Sequence, residues 1–182
     1  MFGIPGYDPD PATSVQEVIG THGDRCNALQ GRRLHRATGL HFISTGDWMC
    51  TRPLVLDFDG RCLEIAVAGF DQMYLSWDAI DIEAPIDDED QQEPDFALAW
   101  GQTRAPELQA LTESPLADVR ILETDFSLRS PEGITLRSWL LNGLEFVTAD
   151  GRAVQMFNGL DELKLSAKDP SDDTWRRRAI PR

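Results

Sequence analysis

Two Asp-Gly pairs constrain this chain more than any other feature. Leu54-Val55-Leu56-Asp57-Phe58 runs into Asp59-Gly60, and Cys62-Leu63-Glu64-Ile65-Ala66-Val67 follows. Two β-capable runs around Asp-Gly specify a hairpin, because these residues accept the positive φ that a tight hairpin turn demands. The arrangement recurs. Leu144 to Thr148 leads to Asp150-Gly151, and Arg152 to Phe157 follows. The echo then extends downstream. Gly69-x-Asp71-x-x-x-Leu75-Ser76 in the first copy matches Gly159-x-Asp161-x-x-x-Leu165-Ser166 in the second. The turn-to-element distance differs by one residue between copies, which a β-bulge would absorb. Upstream of the turns, Leu54, Leu56 and Phe58 fall on the opposite parity to Leu144 and Phe146. The expectation is a duplicated four-strand meander.

The remaining pattern fits a mainly β chain, a β-rich α+β fold with one or two short helices. Ser14 with Glu17 three residues later reads as a capping box, with Val15, Val18 and Ile19 as a short apolar face ending by Gly20. Met73 to Trp77, Ala79 to Ile82, Val119 to Leu128, Ile134 to Leu141 and Leu160 to Leu165 read as strands. Pro106 to Leu111 reads as a helical turn or two. The expected organisation is an N-terminal arm with its helix (1–28), a first meander half (29–82), an acidic connector (83–116), a second half (117–168) and a basic tail (169–182), packed as one compact domain.

Charge narrows the function classes. Seventeen Lys+Arg stand against 31 Asp+Glu, a formal net charge of −14. Phosphate binding needs a basic surface, so no nucleic-acid partner is expected. No stretch approaches transmembrane length, so no membrane partner is expected either. The first twenty residues lack a basic region followed by an apolar run, and three cysteines are too few for a disulfide framework; a cytoplasmic location with reduced thiols is expected. Between Arg61 and Arg104 no base occurs, while eleven acids do, six of them between Asp87 and Asp95. Trp175-Arg176-Arg177-Arg178 makes the tail basic, able to fold back on the acidic face or join another subunit. His22, Cys26, His35, His41 and Cys50 match no compact zinc spacing, and no cofactor or metal is expected.

One local run resembles a catalytic motif. Leu54 through Leu63, with Asp57-x-Asp59, is similar to the first motif of the haloacid dehalogenase superfamily. That resemblance implies a magnesium-dependent phosphatase-like hydrolase on a parallel α/β fold, with Asp57 as nucleophile and Asp59 as acid/base. It further implies Ser76 as the phosphate-contacting hydroxyl, Lys164 or Lys168 as the phosphate-binding lysine, and Asp172 and Asp173 as metal ligands. Arg61 stands where that family has Thr, and no crossover helix is evident after it. The second copy keeps the turn without the Asp-x-Asp.

The profile as a whole, small, acidic, strand-rich and without a catalytic motif, resembles the immunity proteins that bacteria keep against polymorphic or contact-dependent toxins. The resemblance implies a non-enzymatic inhibitor that binds a protein partner with a basic surface. By that analogy the partner-binding residues are Asp78, Asp81, Glu83, Asp87, Asp88, Glu89 and Asp90, with Trp77 as an aromatic anchor. A third class is a non-catalytic oligomerising β module whose hairpins pair edge to edge; the oligomeric state is open.

Overall fold

The computed structural model describes residues 2–86, 95–129, 133, 135–167 and 175–182. Asp87, Asp88, Glu89, Asp90, Lys168, Asp172 and Asp173 lie outside these residues. The described chain is mainly β, in two antiparallel sheets with short helices. A short strand β1 (Pro11–Ala12) precedes helix α1 (Val15–Asn27). The first sheet then forms from β2 (Leu34–Phe42), β3 (Leu54–Phe58), β4 (Cys62–Ala68), β5 (Gln72–Trp77) and β6 (Leu98–Gln102). A 3₁₀ turn (Pro106–Leu108) runs into helix α2 (Gln109–Glu113). The second sheet forms from β7 (Leu116–Arg129), β8 (Thr135–Thr148), β9 (Ala153–Asn158), β10 (Leu163–Ser166) and β11 (Arg176–Ala179).

The strand orders repeat. The first sheet runs β1-β5-β4-β3-β2-β6 and the second β10-β9-β8-β7-β11. In each, four sequential strands form a meander, and a fifth returns to pair antiparallel with the first. The repeated unit is therefore larger than the four strands legible in the sequence: a helix leads each meander and a fifth strand closes it.

The parity mismatch and the one-residue difference downstream both come from turn lengths, and no bulge is needed. Asp59 and Gly60 take φ of 51° and 81°, so β3 and β4 are joined by a two-residue turn. In the second copy Thr148 pairs with Arg152 and only Gly151 (φ 86°) is left-handed, so the loop holds three residues. The next connection reverses this. Residues 69–71 form a three-residue loop between the paired Ala68 and Gln72, whereas Leu160 and Asp161, at φ 66° and 67°, form a two-residue turn. The copies exchange one residue between successive turns. With that shift, Leu54 and Leu56 fall opposite Leu144 and Phe146 in the repeat, and Glu64 falls opposite Gln155.

Inner faces of both sheets meet in one core. Leu54, Leu56, Phe58, Leu63, Ile65, Met73 and Leu75 pack with Val119, Ile121, Leu144, Phe146, Val154 and Met156. Phe58 and Phe146 stack across the interface at 5.8 Å between ring centroids. Helix α1 seals one side. Ser14 Oγ accepts the Glu17 N–H at 3.3 Å, as in a capping box, while the Glu17 carboxylate reaches one residue past the cap and accepts the Thr13 N–H at 2.7 Å. The helix does not end at Gly20 but continues to Asn27. Val18 and Cys26 keep one face buried, and Gly23 lets Ile180, after β11, approach so closely that a Cβ there would sit 3.3 Å from its Cγ2. Tertiary packing outweighs the two glycines' low helix propensity.

The outer faces differ. Phe2, Ile4 and Tyr7 of the N-terminal arm cover the first sheet, packing on Leu40, Ala66, Tyr74 and Leu98. Residues 79–82, expected as a strand, are irregular chain that enters a turn at Ile82. The segments expected as separate strands up to Leu141 and from Leu144 are one strand, β8, which passes an irregularity opposite Leu122 and Glu123. The arginine tail is folded back as β11 along β7.

Candidate protein-interaction surfaces

Asp57 and Asp59 sit on an antiparallel hairpin, so the parallel α/β fold implied by the dehalogenase resemblance is not the fold of this chain. Asp57 Oδ1 accepts the Gly60 N–H at 2.7 Å, and Asp59 Oδ2 accepts the Arg33 N–H at 3.1 Å. Both carboxylates thus stabilise the turn and its neighbour. Ser76 Oγ donates to Glu64 Oε2 at 2.7 Å, and Lys164 pairs with Glu162. Among the described residues, no three His, Cys, Asp or Glu side chains converge as a metal site would need.

Trp77 faces inward. It is 8% exposed and belongs to the shared core, and its Nε1–H donates to His22 Nδ1 on α1 at 3.2 Å. Burial holds the His22 pKa below its ordinary value, with Arg25 adding to the effect, which suits the neutral acceptor this bond needs. The side chain expected to anchor a partner therefore anchors the helix to the sheet. Strand alternation explains why: Met73, Leu75 and Trp77 share the inner face of β5, and Tyr74 and Ser76 share the outer.

Asp78, Asp81 and Glu83 are exposed, on a backbone that is well tied down. Asp78 Oδ1 accepts the Cys62 N–H at 2.9 Å, and Asp81 Oδ1 accepts the Glu83 N–H at 3.0 Å. Glu64 clamps the segment from beneath. Its side chain is fully buried on the outer face of β4, and its Oε1 accepts the Ala79 N–H at 3.0 Å. Tyr7 Oη lies 3.3 Å from Ser76 Oγ, which joins the N-terminal arm to the same network. Burial raises the Glu64 pKa, although the bonds from Ser76 and the backbone of Ala79 and Ile80 oppose the rise. Burial likewise pushes the Tyr7 phenol up to about 12.

A second surface was not legible in the sequence. Beyond their pairing with β11 and β9, strands β7 and β8 continue as a two-stranded arm, residues 124–129 against residues 135–140. Register places Thr124, Phe126, Leu128, Leu136, Ser138 and Leu140 on one side of the arm. Leu128 is 56% exposed and Leu136 63%. The other side carries Asp125, Arg129, Arg137 and Trp139, with the Arg176 guanidinium 5.4 Å from the Trp139 ring centre. At the base of the apolar side lies a groove of about 390 Å³ lined by Phe70, Phe126, Leu140, Phe157, Leu160 and Trp175. Phe70 and Leu160 are 67% and 72% exposed. Leu160 adopts this position at positive φ, a conformation that costs an L-residue about 1–2 kcal/mol. Trp175 is fixed by a hydrogen bond from its Nε1–H to Asn142 Oδ1 at 3.0 Å and by Phe157 at 5.0 Å.

No family model, curated protein or solved structure matches the chain. Among the described residues, no helix is long and apolar enough to cross a membrane.

Proposed function

We propose that this chain is a non-catalytic protein-binding module of the inhibitor kind, acting as immunity proteins do on a partner with a basic surface. The observation that carries this reading is the clamp of Glu64 under residues 78–83. It presents Asp78, Asp81 and Glu83 on a backbone already fixed before any partner arrives. Pre-organised acids lose little entropy on binding and steer a basic partner by long-range attraction. Asp87, Asp88, Glu89 and Asp90 extend the same negative charge along the sequence. A reducing cytoplasm suits the free thiols of Cys26, Cys50 and Cys62. The test is titration calorimetry against the protein encoded by the adjoining reading frame. A complex whose affinity falls at least tenfold in Asp78→Lys/Asp81→Lys/Glu83→Lys supports the reading; no complex, or one the triple reversal leaves unchanged, sinks it.

A further inference from the structure

The end of the β2–β6 ladder holds a cavity whose charge runs against that of the molecule. The ladder keeps one register through Thr38↔Gln102 and ends at the bond from the Thr103 N–H to the Ala37 carbonyl at 2.9 Å. There the strands part. Pro106 opens the 3₁₀ turn, a position that proline's fixed φ suits, and on β2 the register slips beside His35. The gap between β2 and α2 is a cavity of about 410 Å³. Because it opens at a strand edge and not on a face, it draws on both faces. Leu34, Ala37 and Leu108 reach it from the core, while Arg36, Gln102 and Arg104 are exposed. Among the described residues no acid lines it, in a chain whose acids outnumber its bases 31 to 17.

The hydroxyls around this cavity already have work. The Gly46 carbonyl can only accept, so His41 donates to it from Nδ1 at 3.0 Å, and His41 Nε2 accepts from the Thr103 hydroxyl at 3.2 Å. The Thr112 hydroxyl donates to the Gln109 carbonyl at 2.9 Å, and the Gln109 amide donates to Glu113 at 2.6 Å. The two guanidiniums are differently placed. Arg104 meets a neutral group, Gln102 Oε1, which lies 3.3 Å from both its Nε and Nη2. Asp57 stands across from Arg36 on β3, but its Oδ1 is turned to the Gly60 N–H. Among the described residues neither guanidinium has a carboxylate partner. The ladder's register, carried one step past its last bond, sets Arg104 across from Arg36. Like charges facing each other across two strands are unfavourable, and an anion between them reverses the sign.

We propose that this cavity binds the phosphate monoester of a small, partly apolar molecule, with the phosphate at Arg36 and Arg104 and the body against Leu34, Ala37 and Leu108. A phosphate monoester carries about −1.5 to −2 charges at pH 7, which two guanidiniums balance and a single carboxylate would not. Guanidinium forks also fit phosphate oxygens two at a time. The cavity falls within the roughly 300–1,000 Å³ of small-molecule sites, which pair apolar walls with a few placed polar groups. The net charge of −14 does not oppose this. At physiological salt, exposed charges more than about 8 Å away are largely screened, so the local cations decide. The site shares no residue with the acidic segment at 78–83.

The experiment is titration calorimetry of the full chain with phenyl phosphate, inorganic phosphate, O-phosphoserine and benzyl alcohol. Phenyl phosphate is expected to bind one to one, at least tenfold tighter than any of the other three. Arg36→Gln/Arg104→Gln is expected to weaken it at least tenfold. The urea midpoint of that variant should stay level or rise, because no ion pair is lost and a like-charge contact is removed. Arg129→Gln, on the β7–β8 arm, is expected to change nothing. The absence of phenyl phosphate binding overturns the proposal. So does an affinity that the double variant keeps or that Arg129→Gln lowers equally. Benzyl alcohol binding as tightly would reduce the site to an apolar crevice and overturn it as well. O-phosphoserine binding as tightly as phenyl phosphate would overturn the small-molecule assignment and give the site to a phosphorylated side chain of another protein. Asp78→Lys/Asp81→Lys/Glu83→Lys is expected to bind phenyl phosphate as the wild type does, whether or not the acidic segment has a basic partner.

Discussion

Each half of the molecule buries a carboxylate on the outer face of its sheet, and the two answer it differently. In the first, the donors to Glu64 among the described residues are neutral, Ser76 Oγ and the backbone of Ala79 and Ile80, beside Tyr7 of the N-terminal arm. In the second, Glu145 is equally buried but meets Arg177 at 2.9 and 3.2 Å, Arg120 at 3.5 Å and Gln155 at 3.0 Å. Gln155 occupies the position in the second copy that Glu64 holds in the first. One half thus carries its buried carboxylate on β4 and the other on β8, where β11 supplies a cation. A carboxylate with neutral partners leaves its half sensitive to pH. One that meets guanidinium groups makes its half dependent on those cations, Arg177 above all.

Four measurements would break or sharpen this contrast. The largest effect tests whether the halves are separable at all. Phe146→Ala opens the stack against Phe58 and is expected to cost about 3–5 kcal/mol, read as a shift of one cooperative urea transition. Two transitions, only one of them shifted, would mean that the halves unfold independently. Next, Arg177→Met strands Glu145 in a buried site with Arg120 as its remaining cation, and a loss of about 3 kcal/mol is expected. The companion Glu145→Gln/Arg177→Met should recover most of it; a double variant as unstable as the single one would show that packing, not charge, holds β11.

The third effect is a tilt, not a collapse. The folded-state pKa of Glu64 is raised by burial, so between the ordinary carboxylate range and that raised value the folded protein holds a proton the unfolded chain has released. Stability therefore falls as pH rises through this window and is greatest below it. Glu64→Gln should flatten urea midpoints across the same window, and an unaltered slope would remove Glu64 as its source. The smallest effect is a gain. Leu160→Gly relieves the positive-φ strain and is expected to add about 0.5 kcal/mol, the relief exceeding glycine's own entropic cost. An unchanged or lowered urea midpoint would show that the turn at Leu160 holds no strain to relieve.

Much of the architecture was readable because hairpins are local. The Asp-Gly turns and the alternation of β4, β5 and β9 required only neighbours in sequence. What escaped reading depended on distant partners. β6 was missed because Leu98-Ala99-Trp100-Gly101-Gln102 becomes a strand only by pairing with β2. The last turns of α1 were missed because Gly23 is favourable only where Ile180 packs on it. A partner-binding Trp77 would have to face outward, yet its parity with Met73 and Leu75 points inward. The arm was hidden for the opposite reason. Phe126, Leu128 and Leu136 alternate just as core strands do, and nothing local says that no sheet lies opposite them. Of the proposed acidic surface, Asp78, Asp81 and Glu83 could be named from composition, but the clamp beneath them required knowing that Glu64 points out of the core.

The placement of β11 bears on how the chain folds as it is made. Glu64 finds its donors 12 and 15 residues later, so the first sheet's buried carboxylate is satisfied almost as soon as β5 leaves the ribosome. Glu145 must wait 32 residues for Arg177. Until that strand emerges, a nascent second sheet has an open β7 edge and an acid without its principal cation, and closing the longer loop adds to the delay. The first half can act as the template, and the second becomes native only when its fifth strand arrives.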